Sequence, residues 1–317
     1  MSKKILFTHT DLDGVGGEIV ARLVFGEDIT CIHSEIPSID TAVEKMLETY
    51  NGEEIIFSDI CATERMLTKL HDMDIHPRIF DHHPTNMYAT EIFADACIVP
   101  KNSDGVMECG TSLLYKYLKS TGWSGYTETT DLFVDTVRSY DTYEWKSTNN
   151  MLAKNLQTLF GILGYEKFAN KYVEYLNEYH DQIITDNDMV FVKAKIDLEQ
   201  EAIDSYTLDD CYQFEIEVKG KRKYLGGLVF TSPGINPSEL GYQFLSKYPE
   251  IDFLVMPNWR QSGLAFRSIK DDILLGDDIC KKLGGGGHPK ASGAPIKPIL
   301  LDDIKHMIVS DIQCAVE

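Results

Sequence analysis

The sequence has no long apolar run and is poor in basic residues. None of its apolar stretches approaches the roughly 18 residues that a membrane-spanning helix needs. The stretch near the N-terminus ends at Phe7, which is too short for the apolar region of a signal peptide. Thirty basic residues stand against 50 acidic ones, a formal net charge of −20. We therefore expect a soluble, cytoplasmic protein with no membrane partner.

Cysteine is scarce and irregularly placed. The seven cysteines of the 317-residue chain are odd in number and include no Cys-x-x-Cys pair. This pattern argues against a disulfide framework and against a zinc site built from paired thiolates. We expect free thiols in a reducing compartment.

The acidic excess lies in the first two thirds of the chain. Residues 1–210 hold 17 basic and 37 acidic side chains, whereas residues 211–317 hold 13 of each. A surface this acidic repels a long polyphosphate backbone, so the sequence argues against a long duplex as partner. A short phosphate-containing ligand is compatible with this charge if bound metal, rather than side chains, neutralises it.

The first hundred residues alternate strand and helix patterns. We predict strands over 4–9, 29–32, 54–59 and 78–81, with helices over 18–25, 39–50 and 63–70 between them. Repeated βα units with apolar strands imply a parallel sheet covered on both faces. Ligands of such sheets bind beyond the carboxyl ends of the strands.

The remaining chain predicts a helical region and then a smaller α/β unit. Aromatic residues from Tyr165 to Tyr179 recur at helical spacing, which favours a buried packing stripe over a base-stacking surface. Alternating strand patterns resume after Asp210. The predicted fold class is therefore α/β, with a parallel-sheet domain over 1–185, a helical linker over 186–210 and a smaller α/β domain over 211–317.

Side chains that can bind metal follow three of the predicted strands. If the chain stays extended after the first strand, its three candidates face one side. Taken singly, each segment is as typical of a helix cap or a polar turn, and the same holds for Asp141 in Tyr-Asp-Thr. The strand-end candidates are His9, Asp11 and Asp13 after the first strand, Asp59 at the end of the third, and Asp81, His82 and His83 at the end of the fourth.

Taken together, these groups predict a site for two metal ions. Because the carboxyl ends of parallel strands meet at one edge of a sheet, the five aspartates would repel one another strongly without cations. Mixed imidazole and carboxylate ligands suit Mn²⁺ or a similar divalent ion. Paired ions bind phosphate oxygens and activate water, so the predicted chemistry is phosphoester hydrolysis.

A second candidate site lies near the C-terminus, where four consecutive glycines, 284–287, precede His288. Too little chain follows for these glycines to tether another domain, which argues against a flexible linker. A glycine-rich loop lets backbone N–H groups approach an anion closely, and Arg267, His288 and Lys290 add donors. This region is a candidate anion-binding loop.

Five motifs together resemble those of the DHH phosphoesterase superfamily, in the branch with a DHH-associated C-terminal domain. Within that branch the chain resembles the oligoribonuclease B-type enzymes (nano-RNases), also described as phosphodiesterases of cyclic and short nucleotides. The resemblance covers nearly the whole chain, although the glycine loop has one extra glycine and Pro289. The motifs are His-Thr-Asp-Leu-Asp-Gly from 9, Ser-Asp-Ile from 58, Asp81-His82-His83, Tyr-Asp-Thr-x-x-Trp from 140 and Gly-Gly-Gly-Gly-His from 284.

The resemblance implies a role for each matching residue. It implies that His9 and Asp11 hold the first Mn²⁺, that Asp13, His82 and Asp141 hold the second, and that Asp59 bridges both. Asp81 would orient the histidines, and His83 would contact the reacting phosphate. The C-terminal domain would grip one end of the substrate through Arg267, the neighbouring Ser268, Gly285, Gly286, Gly287 and His288.

The implied enzyme is a Mn²⁺-dependent phosphodiesterase. It would cleave short oligonucleotides or dinucleotides to nucleoside 5′-monophosphates by two-metal hydroxide attack, in a cleft between the domains. Other readings of the same residues are a cyclic (di)nucleotide phosphodiesterase, a RecJ-type single-strand exonuclease and a manganese inorganic pyrophosphatase. A catalytically inactive nucleotide-binding scaffold is a further alternative, from a different functional class.

Overall fold

A computed structural model describes residues 3–218, 220–232, 234–258 and 263–296. The helices are α1 Leu12–Phe25, α2 Ile39–Leu47, α3 Glu64–Asp72, α4 Tyr88–Ile92, α5 Gly110–Ser120, α6 Glu128–Asp141, α7 Glu144–Thr148, α8 Met151–Leu163, α9 Tyr165–Tyr175, α10 Asp186–Asp204 and α11 Pro237–Lys247. The strands are β1 Lys4–Thr8, β2 Ile29–His33, β3 Glu54–Ser58, β4 Arg78–Asp81, β5 Cys97–Ile98, β6 Cys211–Glu217, β7 Lys223–Val229, β8 Phe253–Asn258, β9 Gly263–Arg267, β10 Gly286–Gly287 and β11 Ala291–Pro295.

The chain divides into two compact units, residues 1–193 and 194–317. The division falls inside α10, within the segment predicted as a linker. The predicted roles of 1–185 and 211–317 as catalytic and substrate-binding domains stay predictions. The α/β fold class is confirmed, because a parallel sheet with helices occupies the first unit and a second sheet occupies the smaller second unit.

The first unit contains a five-stranded parallel sheet with the order β2-β1-β3-β4-β5. Its strands are apolar because helices cover both faces: Phe7 and Phe57 stack with ring centroids 5.1 Å apart, and both are fully buried. Burying an aromatic side chain of this size contributes roughly 1.5–3 kcal/mol. The four predicted strands of this sheet are confirmed, whereas β5 was not predicted.

Helix α1 begins earlier than the sequence pattern predicts. The side chain of Asp11 accepts a hydrogen bond from the Gly14 amide and caps the helix, so Asp13 already lies in the first turn. The prediction of an extended segment with His9, Asp11 and Asp13 on one side is therefore wrong. The helix packs closely after this turn, because a Cβ on Gly17 would lie 2.7 Å from Oγ of Ser58.

The aromatic stripe of α9 is buried only at its centre. Phe168 and Tyr172 are fully buried, but Tyr165 and Tyr179 are 47% and 59% exposed. The chain turns after α9 and returns so that the Tyr172 hydroxyl donates to the carbonyl of Ile183. The predicted stripe to Tyr179 is therefore wrong at both ends.

The second unit is a six-stranded mixed sheet with the order β10-β11-β9-β8-β7-β6. Only β7 and β8 run parallel among its described pairs. Alternate residues of β8 face opposite sides: Leu254 and Met256 pack with Phe244 of α11, and Phe253 and Val255 pack on the other face. Part of the predicted glycine-rich loop is a β-strand, because Gly286 and Gly287 form β10 and pair with β11.

Two smaller predictions concern thiols and membranes. The six cysteines in the described ranges are all free, as predicted, while Cys314 lies outside those ranges. Along the part of the chain that the structure describes, no helix combines the length and the apolar character that membrane crossing requires.

Candidate metal centre

The strand order places the candidate site. In a sheet ordered 2-1-3-4-5, the connections from β1 and β3 leave in opposite directions and open a crevice at the carboxyl ends of these strands. His9 and Asp11 follow β1, and Asp59 follows β3 directly. The crevice is therefore lined by the motifs that the sequence singled out.

The first group of ligand-type side chains comprises His9, Asp11 and Asp59. Nδ1 of His9 lies 2.8 Å from Oδ2 of Asp11 and 3.9 Å from Oδ2 of Asp59. The hydrogen bond with Asp11 raises the pKa of His9 to about 9. Without a metal ion this imidazole therefore holds a proton that a cation would have to displace.

The second group comprises Asp13, His82 and Asp141. Nε2 of His82 lies 3.4 Å from Oδ2 of Asp141, 3.4 Å from Oδ1 of Asp59 and 3.9 Å from Oδ2 of Asp13. Burial lowers the pKa of His82, which favours the neutral imidazole that binds metal. Helix α6 supplies Asp141 in its last turn, so three distant segments meet here.

Asp59 lies between the two groups and offers one oxygen to each. Its Oδ2 faces His9 and its Oδ1 faces His82. Its backbone φ is +60°, in the left-handed region, which Asp tolerates better than most residues but which still stores strain. A carboxylate in this position has the geometry of a bridging ligand.

Asp81 ends β4, and both of its carboxylate oxygens have hydrogen-bond partners. Oδ1 of Asp81 accepts from the backbone amides of His82 and His83, at 2.7 and 3.0 Å, and contacts Nδ1 of His83 at 2.8 Å. Oδ2 accepts from the Asn86 amide at 2.6 Å. Burial opposes the ionised form, but the bond with His83 outweighs it and lowers the pKa of Asp81. Asp81 therefore holds both histidines in place.

The donor set fits a pair of divalent ions. Among the described residues, Oδ2 of Asp59, Nε2 of His82 and Oδ2 of Asp141 are buried without a hydrogen-bond partner. Unpaired buried polar atoms cost about 1–3 kcal/mol each, and a pair of bound cations would satisfy all three. Burial, followed by the charge of Asp13, raises the pKa of both Asp59 and Asp141 well above the ordinary value. Imidazole nitrogen and carboxylate oxygen suit Mn²⁺ and similar ions.

Three residues that support the site were not predicted. The backbone amides of Gly110 and Thr111, at the start of α5, donate to the two oxygens of Asp13 at 2.7 and 2.9 Å. Glu35 contacts Nε2 of His9 at 3.1 Å. The Gly-Thr-Ser sequence at the start of α5 is a weak indication of a helix N-terminus, whose amides can bind a carboxylate. Nothing in the sequence links Glu35 to His9.

The predicted substrate-binding residues lie together in the second unit. Arg267 ends β9 and pairs with Ala291 of β11, while Gly286 and Gly287 pair with the same strand on its other side. Arg267 Nε donates to Oγ of Ser238 at 3.1 Å. Three of the set have internal bonds. The buried Ser268 hydroxyl donates to the Asp252 carbonyl, and the amides of Gly285 and His288 donate to the carbonyls of Cys280 and Ala291.

No protein-family model matches the chain. The chain is 30% identical to oligoribonuclease NrnB of Bacillus subtilis (strain 168) over 314 residues, which span 96% of this chain and 75% of that protein. This protein belongs to the oligoribonuclease NrnB family. Membership confirms both the DHH resemblance and the predicted enzyme class, a hydrolytic phosphodiesterase.

Solved structures share the fold of this NrnB-family chain. The pGpG-specific phosphodiesterase PggH from Vibrio cholerae aligns over 99% of both chains, with a TM-score of 0.52 and 12% identity. RecJ in complex with Mn²⁺ from Thermus thermophilus aligns over 96% of this chain and 51% of its own, with a TM-score of 0.57 and 16% identity. A DHH domain from a member of the s1p family of ribosomal proteins aligns over 98% and 86%, with a TM-score of 0.57 and 13% identity. At these identities the similarity concerns the fold.

Proposed function

We propose that this protein is a Mn²⁺-dependent phosphodiesterase that hydrolyses short oligonucleotides, including dinucleotides, to nucleoside 5′-monophosphates. The observation that carries the proposal is the position of Asp59, whose two oxygens face two separate groups of ligand-type side chains. The name of the Bacillus subtilis relative supports an oligonucleotide as substrate.

The ligand assignment follows from the two groups. His9 and Asp11 would hold one ion, Asp13, His82 and Asp141 the other, and Asp59 would bind both. Two divalent ions bound there would lower the pKa of a coordinated water towards neutrality and stabilise the charge that develops on the phosphoryl oxygens. The amides of Gly110 and Thr111 would keep Asp13 aimed at its ion.

His83 supplies a donor for the phosphate. Its hydrogen bond with Asp81 raises the pKa of His83, which favours the imidazolium, and its side chain is 46% exposed. With Nδ1 occupied by Asp81, Nε2–H would donate to a phosphoryl oxygen of the substrate. Asp81 would act as the group that keeps this ring oriented.

The second unit would select short substrates. We propose that Arg267 and the strand pair around Gly286 and Gly287 grip one end of the oligonucleotide. Ser268 would act only indirectly, since its hydroxyl already donates within the unit. The net charge of −20 favours short substrates over long nucleic acids, whose binding needs many cationic contacts.

A substrate panel tests the proposal. The purified protein is assayed on a dinucleotide, a longer oligonucleotide, a cyclic dinucleotide and pyrophosphate, each with Mn²⁺ and with chelator. We expect Mn²⁺-dependent hydrolysis that is fastest for the dinucleotide. Preferential cleavage of any other substrate would favour the corresponding alternative enzyme, and absence of bound metal together with absence of activity would favour the inactive scaffold.

Substitutions of two proposed metal ligands test whether hydrolysis takes place at this site. Asp59→Asn and His82→Ala should lower the dinucleotide rate by at least about 1,000-fold, because removing a group from a catalytic unit disables the whole unit. Asp104→Asn is the matched control, since Asp104 is an exposed aspartate of the same unit. Near-normal rates in the two ligand variants would refute this site.

A further inference from the structure

Tyr143 has a backbone conformation that is unusual for a bulky side chain. It precedes α7 with φ 60° and ψ 8°, in the left-handed region. The other non-glycine residues with positive φ in the described ranges are Asp59, Asp74 and Asn149. Aspartate and asparagine are enriched in this conformation, whereas an aromatic residue there is a genuine outlier. Local structure alone would favour Gly or Asn at this position.

Burial does not offset this strain. The side chain of Tyr143 is 55% exposed, so it gains little from leaving water. The segment is anchored instead by Trp145, which is buried and stacks on Tyr140 with ring centroids 5.9 Å apart. Strained residues that packing does not require occur mainly at functional sites.

The position of Tyr143 in the chain connects it with the metal centre. Tyr143 follows Asp141 by two residues, and two residues span at most about 7 Å. Oδ2 of Asp141 lies 3.4 Å from Nε2 of His82, so the tyrosine begins at the edge of the second ligand group. The ammonium of Lys146 lies over the Tyr143 ring, 5.6 Å from its centre.

We propose that Tyr143 is a stacking surface for a nucleobase next to the phosphodiester bound at the metal centre, an inference that rests on the proposed function. Bases stack on aromatic side chains whatever their identity, because every base has a π face. Tyr143 would therefore add affinity for short oligonucleotides without selecting a sequence. With 55% of its surface exposed, the side chain is accessible to a base.

A substitution series separates stacking from a structural role. Dinucleotide KM and kcat are measured for Tyr143→Phe, Tyr143→Ala and Tyr143→Gly, with Tyr179→Ala as the exposed-tyrosine control and Asn149→Gly as the left-handed control. The Ala and Gly variants should raise KM by about 5- to 150-fold, the effect of losing one stacked base, with little change in kcat. The Phe variant and both controls should stay near wild type.

Two further measurements read stacking and strain directly. A dinucleotide that contains 2-aminopurine should lose fluorescence on binding to the wild-type and Phe proteins, and lose much less on binding to the Ala protein. The Gly variant should unfold at a temperature no lower than that of the wild type, because glycine relieves the left-handed strain. Weaker binding in a protein of unchanged stability is the signature of a substrate contact.

The outcomes distinguish the two proposals. Unchanged KM and unchanged 2-aminopurine quenching in Tyr143→Ala would overturn the stacking role, even if the enzyme hydrolyses dinucleotides as proposed. A wild-type protein that binds and quenches the 2-aminopurine dinucleotide through Tyr143 but does not hydrolyse it would support stacking and contradict the proposed function. A lower unfolding temperature in Tyr143→Gly with unchanged KM would assign Tyr143 a structural role.

Discussion

Nε2 of His9 lies 3.1 Å from Oε2 of Glu35, on the side of the ring opposite the nitrogen that faces Asp11 and Asp59. The hydroxyl of Thr10 donates to the other oxygen of Glu35 and so fixes this carboxylate. Histidine ligands usually donate their second N–H to a carboxylate, which sets the tautomer and the ring orientation. Glu35 therefore positions His9 with Nδ1 facing Asp11 and Asp59, the side on which an ion would bind.

Removing this contact should weaken metal binding. Glu35→Ala is expected to lower the affinity for Mn²⁺ by about 10- to 100-fold, the usual effect of losing such a partner, and Glu35→Gln should restore part of it. Isothermal titration with Mn²⁺ measures the effect, and Glu48→Gln, at an exposed position of the same unit, is the control. An unchanged affinity in Glu35→Ala would show that His9 is held in place without it.

Gly110 permits the close approach of α5 to Asp59. A Cβ on Gly110 would lie 2.5 Å from both Cβ and the backbone nitrogen of Asp59. Since backbone atoms at this distance must move, Gly110→Ala should displace Asp59 and abolish most Mn²⁺ binding and dinucleotide hydrolysis. The control is Gly161→Ala in α8, where a Cβ meets nothing within 4 Å and alanine should raise stability by about 0.5–1 kcal/mol. Normal Mn²⁺ affinity in Gly110→Ala would contradict this role.

The strands of the parallel sheet and their ends could be predicted from the sequence, because apolar runs and the polar or turn-forming residues that end them are local signals. Asp59 and Asp81 were located from the strands that precede them, and the structure places both at the expected sheet edge. Asp13 was predicted to join His9 and Asp11 because the chain would stay extended after β1. That reason is wrong, because Asp11 caps α1 and Asp13 lies in the first turn of this helix.

The support of the ligands was not predictable because it depends on topology. Gly110 lies 97 residues after Asp13, and its amide reaches that carboxylate only because α5 packs against α1. Glu35 meets His9 because β2 is the neighbour of β1 in the sheet. Neither contact has a sequence spacing that would reveal it.

The crowded carboxylates make the stability of the metal-free protein depend on pH. Burial, followed by neighbouring charges, raises the pKa of Asp59 and Asp141 above the unfolded value of about 4. Such groups stabilise the fold below their unfolded pKa and lose that contribution as pH rises through the folded pKa. The pKa of His9 is raised to about 9, so this residue also lowers the stability of the metal-free protein as pH rises above about 6.5.

The unfolding temperature in chelator should therefore fall as pH rises from about 6.5 to 9, and added Mn²⁺ should raise it most at high pH. Thermal unfolding with and without Mn²⁺ measures both effects. Asp59→Asn should be more stable than the wild type in chelator at neutral pH and should gain less from Mn²⁺, whereas Asp104→Asn should follow the wild type. A metal-free protein that becomes more stable over this pH range would contradict the interpretation.

Arg267 should contribute to substrate binding more than to turnover. Its guanidinium donates to Ser238 and to the Phe266 carbonyl, and a Cβ on Gly241 would lie 2.6 Å from its Cβ, so the stem is tightly held against α11. A hydrogen bond from such a preorganised cation to a phosphate is worth about 1.5–3 kcal/mol. Arg267→Ala should therefore raise the dinucleotide KM by roughly 10- to 150-fold with little change in kcat. Arg65→Ala, at an arginine whose side chain is 78% exposed, is the control. If KM were unchanged, the grip on the substrate would have to come from other residues of the second unit, and the metal centre would keep its assignment.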